Sequence, residues 1–331
     1  MLPKVTPYTT LITVPYMKPS DPGDRHLREA GVEIVFNVRH GHRSEDEMIR
    51  LLQGMDAAIV GLDPFTAKVM DASPRLKVIS RSGVGYDDID VPAATERGIA
   101  VCTTPGLNHN AVAEYTMALI LQCARKLFEN LQEGRSGGWT WHQGRDLAGR
   151  MLGILGLGAI GKQVAKRARA FEMKVVAYDV VQDAEFAAQH GVQYVPFQEL
   201  LRESDFVSLH LFLDAKSRHI INAERLASMK PTAYLINTSR GGVVDSVALY
   251  QALKEKRIAG AALDVFEKEP LEPDSPLRTL ENLYISPHCS GASDDPRNAQ
   301  IVMAAENVLR ILRGEKPVHI INPEVLNSLR R

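Results

Sequence analysis

The segment Leu152-Gly153-Ile154-Leu155-Gly156-Leu157-Gly158-Ala159-Ile160-Gly161 runs from a short apolar strand straight into the pattern G-x-G-x-x-G. A basic helix is expected next, and a second strand, Lys174–Tyr178, ends on an acid, Asp179. A glycine-rich turn alone is a weak signal, but this order of strand, turn, helix, strand and acid is typical of a dinucleotide-binding βαβ unit. The chain is predicted to contain such a unit; an ordinary strand–helix turn is the alternative.

Each glycine of the turn has its own predicted role. Gly156 allows the tight turn, Gly158 lets backbone N–H groups approach a pyrophosphate, and Gly161 lets helix and strand pack closely. Asp179 is placed to accept hydrogen bonds from the adenosine ribose and would repel a 2′-phosphate, so the pattern favours NAD over NADP. The predicted cofactor contacts of the turn are Gly156, Gly158, Ala159, Ile160 and Gly161.

Length and composition set the class of protein. The chain has 331 residues, of which 45% are hydrophobic, and this is ample for two globular domains. A net charge of −1 gives no sign of nucleic-acid or membrane binding. Cys102, Cys123 and Cys289 have no metal spacing or disulfide pattern, so a reduced, cytoplasmic setting without a metal is expected. Met1-Leu2-Pro3-Lys4 lacks an apolar signal core, and no run approaches membrane-spanning length.

Strand-like and helix-like segments alternate along the chain, which predicts parallel α/β layers. The first portion contains predicted strands at Thr10–Val14, Glu33–Phe36, Ala57–Val60, Lys77–Ser80 and Ala100–Val101. The second contains six, at Leu152–Leu155, Lys174–Tyr178, Phe206–His210, Tyr234–Asn237, Ala261–Asp264 and Leu283–Ser286. Predicted helices include one opening at Ser44 with Glu47 as a capping box, one near Ala111–Glu133 and one at about Pro296–Arg313.

The nucleotide motif lies in the middle of the chain, so the flanking segments are expected to pair into one discontinuous domain. We predict an α/β protein with two doubly wound parallel-sheet domains. A Rossmann NAD-binding domain, residues 105–291, is inserted into a flavodoxin-like substrate domain, residues 1–104 plus 292–331.

Ligands of open parallel sheets bind outside the carboxyl ends of the strands. In the second portion these ends carry charged or hydrogen-bonding residues again and again, which a purely structural sheet would not need. The strand-end residues predicted to contact the cofactor are His210, Thr238, Arg240, Asp264 and His288.

Three residues together supply what hydride transfer to a 2-keto acid requires. Arg240, in a glycine-flanked loop, can hold a carboxylate through a fork of hydrogen bonds. His288 can donate a proton to the carbonyl oxygen, and Glu269 can keep that imidazole protonated and oriented. Considered one at a time, each residue also has a structural interpretation: Arg240 as a surface arginine, His288 as a packed histidine and Glu269 as a solvated acid.

At these residues the chain resembles the D-isomer-specific 2-hydroxyacid dehydrogenase family, from about Pro64 to about Gly291. Five motifs carry the resemblance in the family's order and spacing. They are Ser82-Gly83-Val84-Gly85-Tyr86-Asp87, Gly156–Gly161, Asn237–Gly242, Ala261–Pro270 and Ser286–Gly291.

The resemblance implies roles for particular residues. Arg240, Glu269 and His288 would be the catalytic trio. Val84 and Gly85 would present backbone N–H groups to the substrate carboxylate, and Asp264 would meet the nicotinamide carboxamide. The residues implied to bind substrate are Arg81, Val84, Gly85, Asn108 and Arg240. The stretch from Ala111 to about Trp141 resembles the family's dimerisation arm, so a homodimer is expected.

Within the family, the chain is most similar to the 3-phosphoglycerate dehydrogenase-like and glyoxylate/hydroxypyruvate reductase branch. Arg81 matches an arginine that binds phosphate in phosphoglycerate enzymes. Three departures from the phosphoglycerate enzymes argue against that substrate: Trp139-Thr140-Trp141-His142, Pro15-Tyr16-Met17 and the chain end at Arg331. A fourth departure, Leu211-Phe212-Leu213-Asp214, is expected to alter the wall of the cofactor site. Tyr16, Met17, Tyr86 and Trp141 are either a pocket for a larger side group or packing residues.

The function expected from these residues is the NAD(H)-dependent interconversion of a small D-2-hydroxy acid and its 2-keto acid. An NAD(H)-sensing binding protein, similar to the C-terminal-binding-protein corepressors, is the alternative from another class. A formate dehydrogenase is disfavoured because those relatives carry glutamine where Glu269 stands.

Overall fold

The computed structural model describes residues 8–330, so Met1-Leu2-Pro3-Lys4, where we predicted no signal core, lies outside the described residues. The strands are β1 (Thr9–Ile12), β2 (Glu33–Phe36), β3 (Ala57–Val60), β4 (Val78–Arg81), β5 (Ala100–Cys102), β6 (Met151–Leu155), β7 (Lys174–Tyr178), β8 (Val192–Tyr194), β9 (Phe206–Leu209), β10 (Tyr234–Asn237), β11 (Gly260–Leu263) and β12 (Leu283–Ile285). The helices are α1 (Pro22–Glu29), α2 (Glu45–Leu51), α3 (Ala67–Asp71), α4 (Val91–Glu96), α5 (His109–Arg125), α6 (Leu127–Arg135), α7 (Ala159–Ala170), α8 (Ala184–His190), α9 (Phe197–Glu203), α10 (Ala223–Ser228), α11 (Ser246–Lys254) and α12 (Asp294–Leu312). Short 3-10 helices occur at Gly241–Val243, Pro276–Thr279 and Pro323–Asn327.

The chain divides into two compact units. Unit 1 comprises the residues up to Asn108 together with those from Ser293 onward, and unit 2 is His109–Ala292. The sequence placed the two crossings after residues 104 and 291, and the structure has them slightly further along the chain.

Unit 1 is built on a five-stranded parallel sheet of order β2-β1-β3-β4-β5, which is the flavodoxin-like order. All residues of β3 are buried, as expected for a strand covered on both faces. The predicted capping box of α2 is confirmed. The Glu47 amide donates to the Ser44 hydroxyl at 3.3 Å, and the Ser44 amide donates to the Glu47 carboxylate at 2.9 Å.

Unit 2 is built on a seven-stranded parallel sheet of order β12-β11-β10-β9-β6-β7-β8. The order in which strands are added reverses at β6, because β7 pairs with one side of β6 and β9 pairs with the other. The carboxyl end of β6 is therefore the topological switch point of the sheet. The sequence predicted six strands here and missed β8. That strand has three residues and pairs with β7 at the edge of the sheet, so it is too short to show a periodic pattern.

The single helix predicted near Ala111–Glu133 is wrong, because the structure has two helices, α5 and α6. Lys126 lies between them in the left-handed conformation, with φ of 52°. Its ammonium group lies 3.3 Å from the Tyr284 hydroxyl and 5.8 Å from the centroids of the Tyr234 and Tyr284 rings. These contacts with distant strands favour the break, and helical periodicity carries no signal of them.

Within residues 8–330, no helix has both the length and the apolar character needed to span a bilayer. The same residues contain no group of three or more His, Cys, Asp or Glu side chains arranged to hold a metal ion.

Candidate active site

The glycine turn after β6 makes two close backbone approaches. Gly156 has φ of 96°, and a Cβ there would lie 2.5 Å from the carbonyl oxygen of His210. A Cβ on Gly161 would lie 2.2 Å from the carbonyl oxygen of Gly156. Both positions therefore require glycine, because a side chain would force β6, α7 and the end of β9 apart.

Gly158 is different, because a Cβ on it would meet no protein atom within 4 Å. Gly158 precedes the first residue of α7, and both Gly158 and Ala159 are exposed. The first-turn N–H groups of a helix have no intrahelical partners, and the helix dipole favours an anion beside them. The open space and these amides fit the pyrophosphate of a dinucleotide, as expected for Gly158, Ala159 and Ile160.

Asp179 stands at the carboxyl end of β7 and is already oriented by backbone groups. Its carboxylate accepts hydrogen bonds from the Leu157 amide at 2.7 Å and the Val181 amide at 3.1 Å. The residues that follow, Val180 and Val181, are exposed and uncharged. The structure therefore ties this acid to the glycine turn and shows no cation on the next two residues that would attract a 2′-phosphate.

His288 and Glu269 form a close pair. The Nδ1 atom of His288 lies 2.7 Å from Oε2 of Glu269, and the other carboxylate oxygen accepts the Phe266 amide at 2.9 Å. The side chains are 26% and 15% exposed, respectively. The imidazole is thus fixed at Nδ1 by an anchored carboxylate, which leaves Nε2 for proton transfer.

Asp264 is fully buried and holds the loop that carries His288. Its carboxylate accepts hydrogen bonds from the Ser286 hydroxyl at 2.6 Å, the Cys289 amide at 2.9 Å and the Ser290 amide at 2.8 Å. Its carbonyl oxygen accepts the His288 amide at 2.8 Å. These bonds hold His288 in the left-handed region, with φ of 50°. A carboxylate offers about four acceptor positions, and these hydrogen bonds occupy three of them.

Arg240 lies in the loop after β10, and hydrogen bonds within this loop hold its backbone and side chain. The Asn237 side-chain amide donates to the Arg240 carbonyl at 2.9 Å, and one guanidinium N–H donates to the Ser239 carbonyl at 2.8 Å. The neighbouring Thr238 hydroxyl lies 2.9 Å from that of Thr116 on α5, so it is turned toward the core of unit 2.

His210 directly follows β9, next to the glycine turn. Its Nε2 lies 2.9 Å from the Ser208 hydroxyl, and its Nδ1 is buried without a hydrogen-bond partner among the described residues. Burial lowers the pKa of His210 to about 3. This imidazole is neutral at physiological pH and suits hydrogen bonding to a cofactor rather than proton transfer.

The residues predicted to bind substrate from the first portion of the chain lie in unit 1. Arg81 ends β4, and its guanidinium donates to the Ser82 carbonyl at 2.6 Å. Val84 is half-buried and Gly85 is buried in the loop that follows, and Asn108 is the last residue of the first segment of unit 1.

Tyr16, Met17, Tyr86 and Trp141, which the sequence left as either pocket or packing residues, differ in their burial. Met17 is fully buried in the core of unit 1, so it is a packing residue. Tyr16 is half-buried, and its hydroxyl lies 2.8 Å from that of Ser82. Burial raises the pKa of Tyr16. Tyr86 and Trp141 are 38% and 85% exposed.

Two contacts beside the predicted residues had no signal in the sequence. The Arg297 guanidinium carbon lies 4.9 Å from the centroid of the Tyr16 ring. His219 pairs with Glu267 at 2.8 Å, two residues before Glu269. Both contacts join segments far apart in the chain, which no local pattern can reveal.

Cys289, next to His288, lies 3.3 Å from the Tyr115 hydroxyl. Burial raises the pKa of its thiol, which favours the unreactive protonated form.

Comparisons with known proteins point to one family. The family model "D-isomer specific 2-hydroxyacid dehydrogenase, NAD binding domain" matches residues 117–290. The chain is 46% identical over 290 residues to a glyoxylate reductase of Korarchaeum cryptofilum, covering 86% of this chain and 87% of that one. It is 41% identical over 301 residues to a D-3-phosphoglycerate dehydrogenase of Methanocaldococcus jannaschii, covering 89% of this chain and 56% of that one.

Among solved structures, a protein of Thermus thermophilus matches with a TM-score of 0.85 at 38% identity, covering 95% of this chain and 99% of that one. The predicted fold class, family and nicotinamide cofactor are confirmed. The chain belongs to the D-isomer specific 2-hydroxyacid dehydrogenase family and is an NAD-dependent oxidoreductase.

Proposed function

We propose that this enzyme interconverts a small D-2-hydroxy acid and its 2-keto acid, with His288 as the acid and base. The observation that carries the proposal is the pairing of His288 with Glu269 at 2.7 Å, within a loop that the buried carboxylate of Asp264 holds in place. Such a pair has the geometry of a general acid oriented by a carboxylate.

Bound NAD(H) supplies a hydride at the nicotinamide ring. We assign the amides of Gly158, Ala159 and Ile160 to the pyrophosphate and the Asp179 carboxylate to the adenosine ribose, because the first turn of α7 is open and Asp179 is fixed beside it. A preference for NAD over NADP is part of this proposal. His210, Asp264 and the backbone of Thr238, whose hydroxyl faces Thr116, complete the proposed cofactor contacts.

During reduction, Arg240 would hold the substrate carboxylate and draw electron density toward the carbonyl oxygen. His288 would give its Nε2 proton to that oxygen, and Glu269 would stabilise the imidazolium before the transfer. In oxidation, His288 would take the hydroxyl proton back. Val84 and Gly85 remain the proposed amide donors to the substrate carboxylate, and Arg81 and Asn108 are proposed to lie near its variable group.

For the substrate we favour a keto acid of the glyoxylate or hydroxypyruvate type, with the phosphorylated three-carbon acid as the alternative. A relative that the chain matches over most of both lengths is named glyoxylate reductase. The relative named D-3-phosphoglycerate dehydrogenase is matched over only 56% of its own length.

The test is NADH oxidation, followed by absorbance, with glyoxylate, hydroxypyruvate, 3-phosphohydroxypyruvate, pyruvate and oxaloacetate. His288→Ala is expected to lower kcat by about 10²- to 10⁴-fold, the usual contribution of a general acid, and to leave NADH binding intact. Arg240→Ala is expected to raise KM for the keto acid as well. Wild-type turnover by His288→Ala would refute the assigned role, and rapid turnover of the phosphorylated acid alone would select the alternative substrate.

We also propose a homodimer formed through the predicted arm, residues 111–141. Leu127, Phe128 and Leu131 of α6 are 49%, 60% and 64% exposed. Beyond the end of this helix, Trp139 and Trp141 are 88% and 85% exposed. Large apolar side chains this exposed in one segment are typical of a subunit interface.

A cytoplasmic location is proposed from the thiols. Cys102, Cys123 and Cys289 are all free. Burial raises the pKa of Cys102 to about 12 and also raises that of Cys123. Free thiols are typical of a reducing compartment.

A further inference from the structure

A second histidine–carboxylate pair lies near the proposed catalytic pair in unit 2. Oε2 of Glu267 lies 2.8 Å from Nε2 of His219, and Oε1 accepts the Ser246 amide at 2.9 Å. Glu267 thus makes both its contacts outside its own loop. Glu269, two residues on, turns instead to His288 and to the amide of Phe266.

Both partners of Glu267 are connected to the Arg240 loop. The amide of His219 donates to the Gly242 carbonyl at 2.9 Å. Ser246 is the first residue of α11, which begins shortly after Gly241–Val243. The Glu267 carboxylate therefore binds one residue that is hydrogen-bonded to the Arg240 loop and one residue at the start of the helix that follows this loop.

The backbones of the two loops are also in direct contact. A Cβ on Gly241 would lie 1.9 Å from the carbonyl carbon of Phe266 and 2.4 Å from the amide nitrogen of Glu267. The residue after Arg240 therefore lies directly against the segment that leads to Glu269, and a small movement of either loop changes the separation of these two side chains.

The Glu267 contacts are stronger than those of a solvated surface acid. Burial raises the pKa of Glu267, but the hydrogen bonds from His219 and from the Ser246 amide outweigh burial and hold the pKa below its ordinary value. The side chain is 29% exposed, so solvent screens the pair only in part.

We propose that Glu267 is a positioning residue, which together with His219 fastens the Arg240 loop to the Glu269 loop and so sets the separation of Arg240 from the Glu269–His288 pair. The inference rests on the proposed function, because it assigns consequences to the geometry of that trio. Neither Glu267 nor His219 is assigned contact with the substrate or the cofactor.

The test compares Glu267→Ala, Glu267→Gln and His219→Asn with a matched control, Glu272→Ala. Glu272 is on the same stretch of chain and pairs with the exposed Lys268 at 2.5 Å. Glu267→Ala is expected to lower kcat/KM for the keto acid by about 10- to 100-fold, since misplacement by about 1 Å costs about 10² in rate, with a raised KM and a lowered kcat. Glu267→Gln keeps an acceptor oxygen for Ser246 and is expected to recover part of this loss.

The dissociation constant for NADH, measured by fluorescence, is expected to stay unchanged in every variant, and Glu272→Ala is expected to match the wild type. A lower Tm with wild-type kinetics in Glu267→Ala would overturn the inference and make Glu267 a cap of α11 only. If Glu267→Ala does not fold, wild-type kinetics in both Glu267→Gln and His219→Asn would overturn it equally. His288→Ala is assayed alongside. If His288→Ala retains turnover, the proposed function fails; if it is inactive while the Glu267 variants match the wild type, only the positioning role fails.

Discussion

Gly241→Ala tests the close approach of the two loops that carry Arg240 and Glu269. The added Cβ would lie 1.9 Å from the carbonyl carbon of Phe266 and 2.0 Å from its oxygen. Non-bonded carbon atoms rest at about 3.5 Å, so the loops must separate by roughly 1.5 Å to accept one methyl group. The φ angle of Gly241 is not in the left-handed region, so collision rather than backbone strain is the cause.

The magnitude follows from that displacement. Misplacement of a catalytic group by about 1 Å costs about 10² in rate, so Gly241→Ala is expected to lower kcat/KM for the keto acid by about 10² or more. Overpacking of this kind costs about 1–3 kcal/mol, which lowers Tm by roughly 2–12 °C in a domain of this size.

The assay combines steady-state kinetics with the keto acid, thermal unfolding followed by circular dichroism, and NADH binding followed by fluorescence. Val247→Ala is the control, because Val247 follows the same loop and is 74% exposed. The control is expected to match the wild type in all three measurements. Gly241→Ala with wild-type kcat/KM and Tm would show that the two backbones are not in contact, and the reasoning on this site would be refuted.

Three further predictions concern the cofactor, pH and assembly. In Gly158→Ala, no protein atom lies within 4 Å of the new Cβ, so this variant is expected to fold normally. Calorimetry is expected to show that it binds NADH about tenfold more weakly or worse. An unchanged Kd for NADH would place the pyrophosphate elsewhere. Burial lowers the pKa of His210 from 6.5 to about 3, so between these values the unfolded chain binds a proton that the folded chain does not. The free energy of unfolding therefore falls by about 1 kcal/mol between pH 7.5 and pH 5.5 because of this residue. In urea titrations, the free energy of unfolding of His210→Gln is expected to depend correspondingly less on pH. The same pH dependence in the variant and the wild type would count against burial of the imidazole. Leu131→Glu places a charge on the exposed apolar side of α6 and is expected to give a monomer in sedimentation velocity when the wild type is a dimer, whereas an intact dimer would exclude α6 from the interface.

Motifs with a local physical cause were predictable from the sequence. Gly156 and Gly161 must be glycine because an added Cβ would lie 2.5 Å and 2.2 Å, respectively, from a backbone carbonyl oxygen. This local requirement fixes the sequence pattern of the turn, so the turn could be predicted without coordinates. The capping box of Ser44 and Glu47 is also local and was predicted correctly. The burial of Met17 depended on packing against distant helices, so its residue type alone left two roles open.

Features with a non-local cause could not be predicted. Lys126 interrupts a helical pattern because Tyr234 and Tyr284, on two distant strands, lie within reach of its ammonium group. The edge strand β8 is set by pairing with β7 rather than by its own three residues. Glu267 could not be distinguished from a solvated acid, because its partners His219 and Ser246 come from other segments.

The division of the chain also bears on how such an enzyme can diversify. Arg240, Glu269, His288 and the carboxylate that supports the histidine loop all lie within one continuous segment, His109–Ala292. The loops proposed to meet the variable part of the substrate belong to the other unit. Mutations that alter substrate preference can therefore accumulate in a separately packed body, while the proton-transfer chemistry is inherited intact. The same separation makes unit 1 the part to randomise in directed evolution toward a new 2-keto acid.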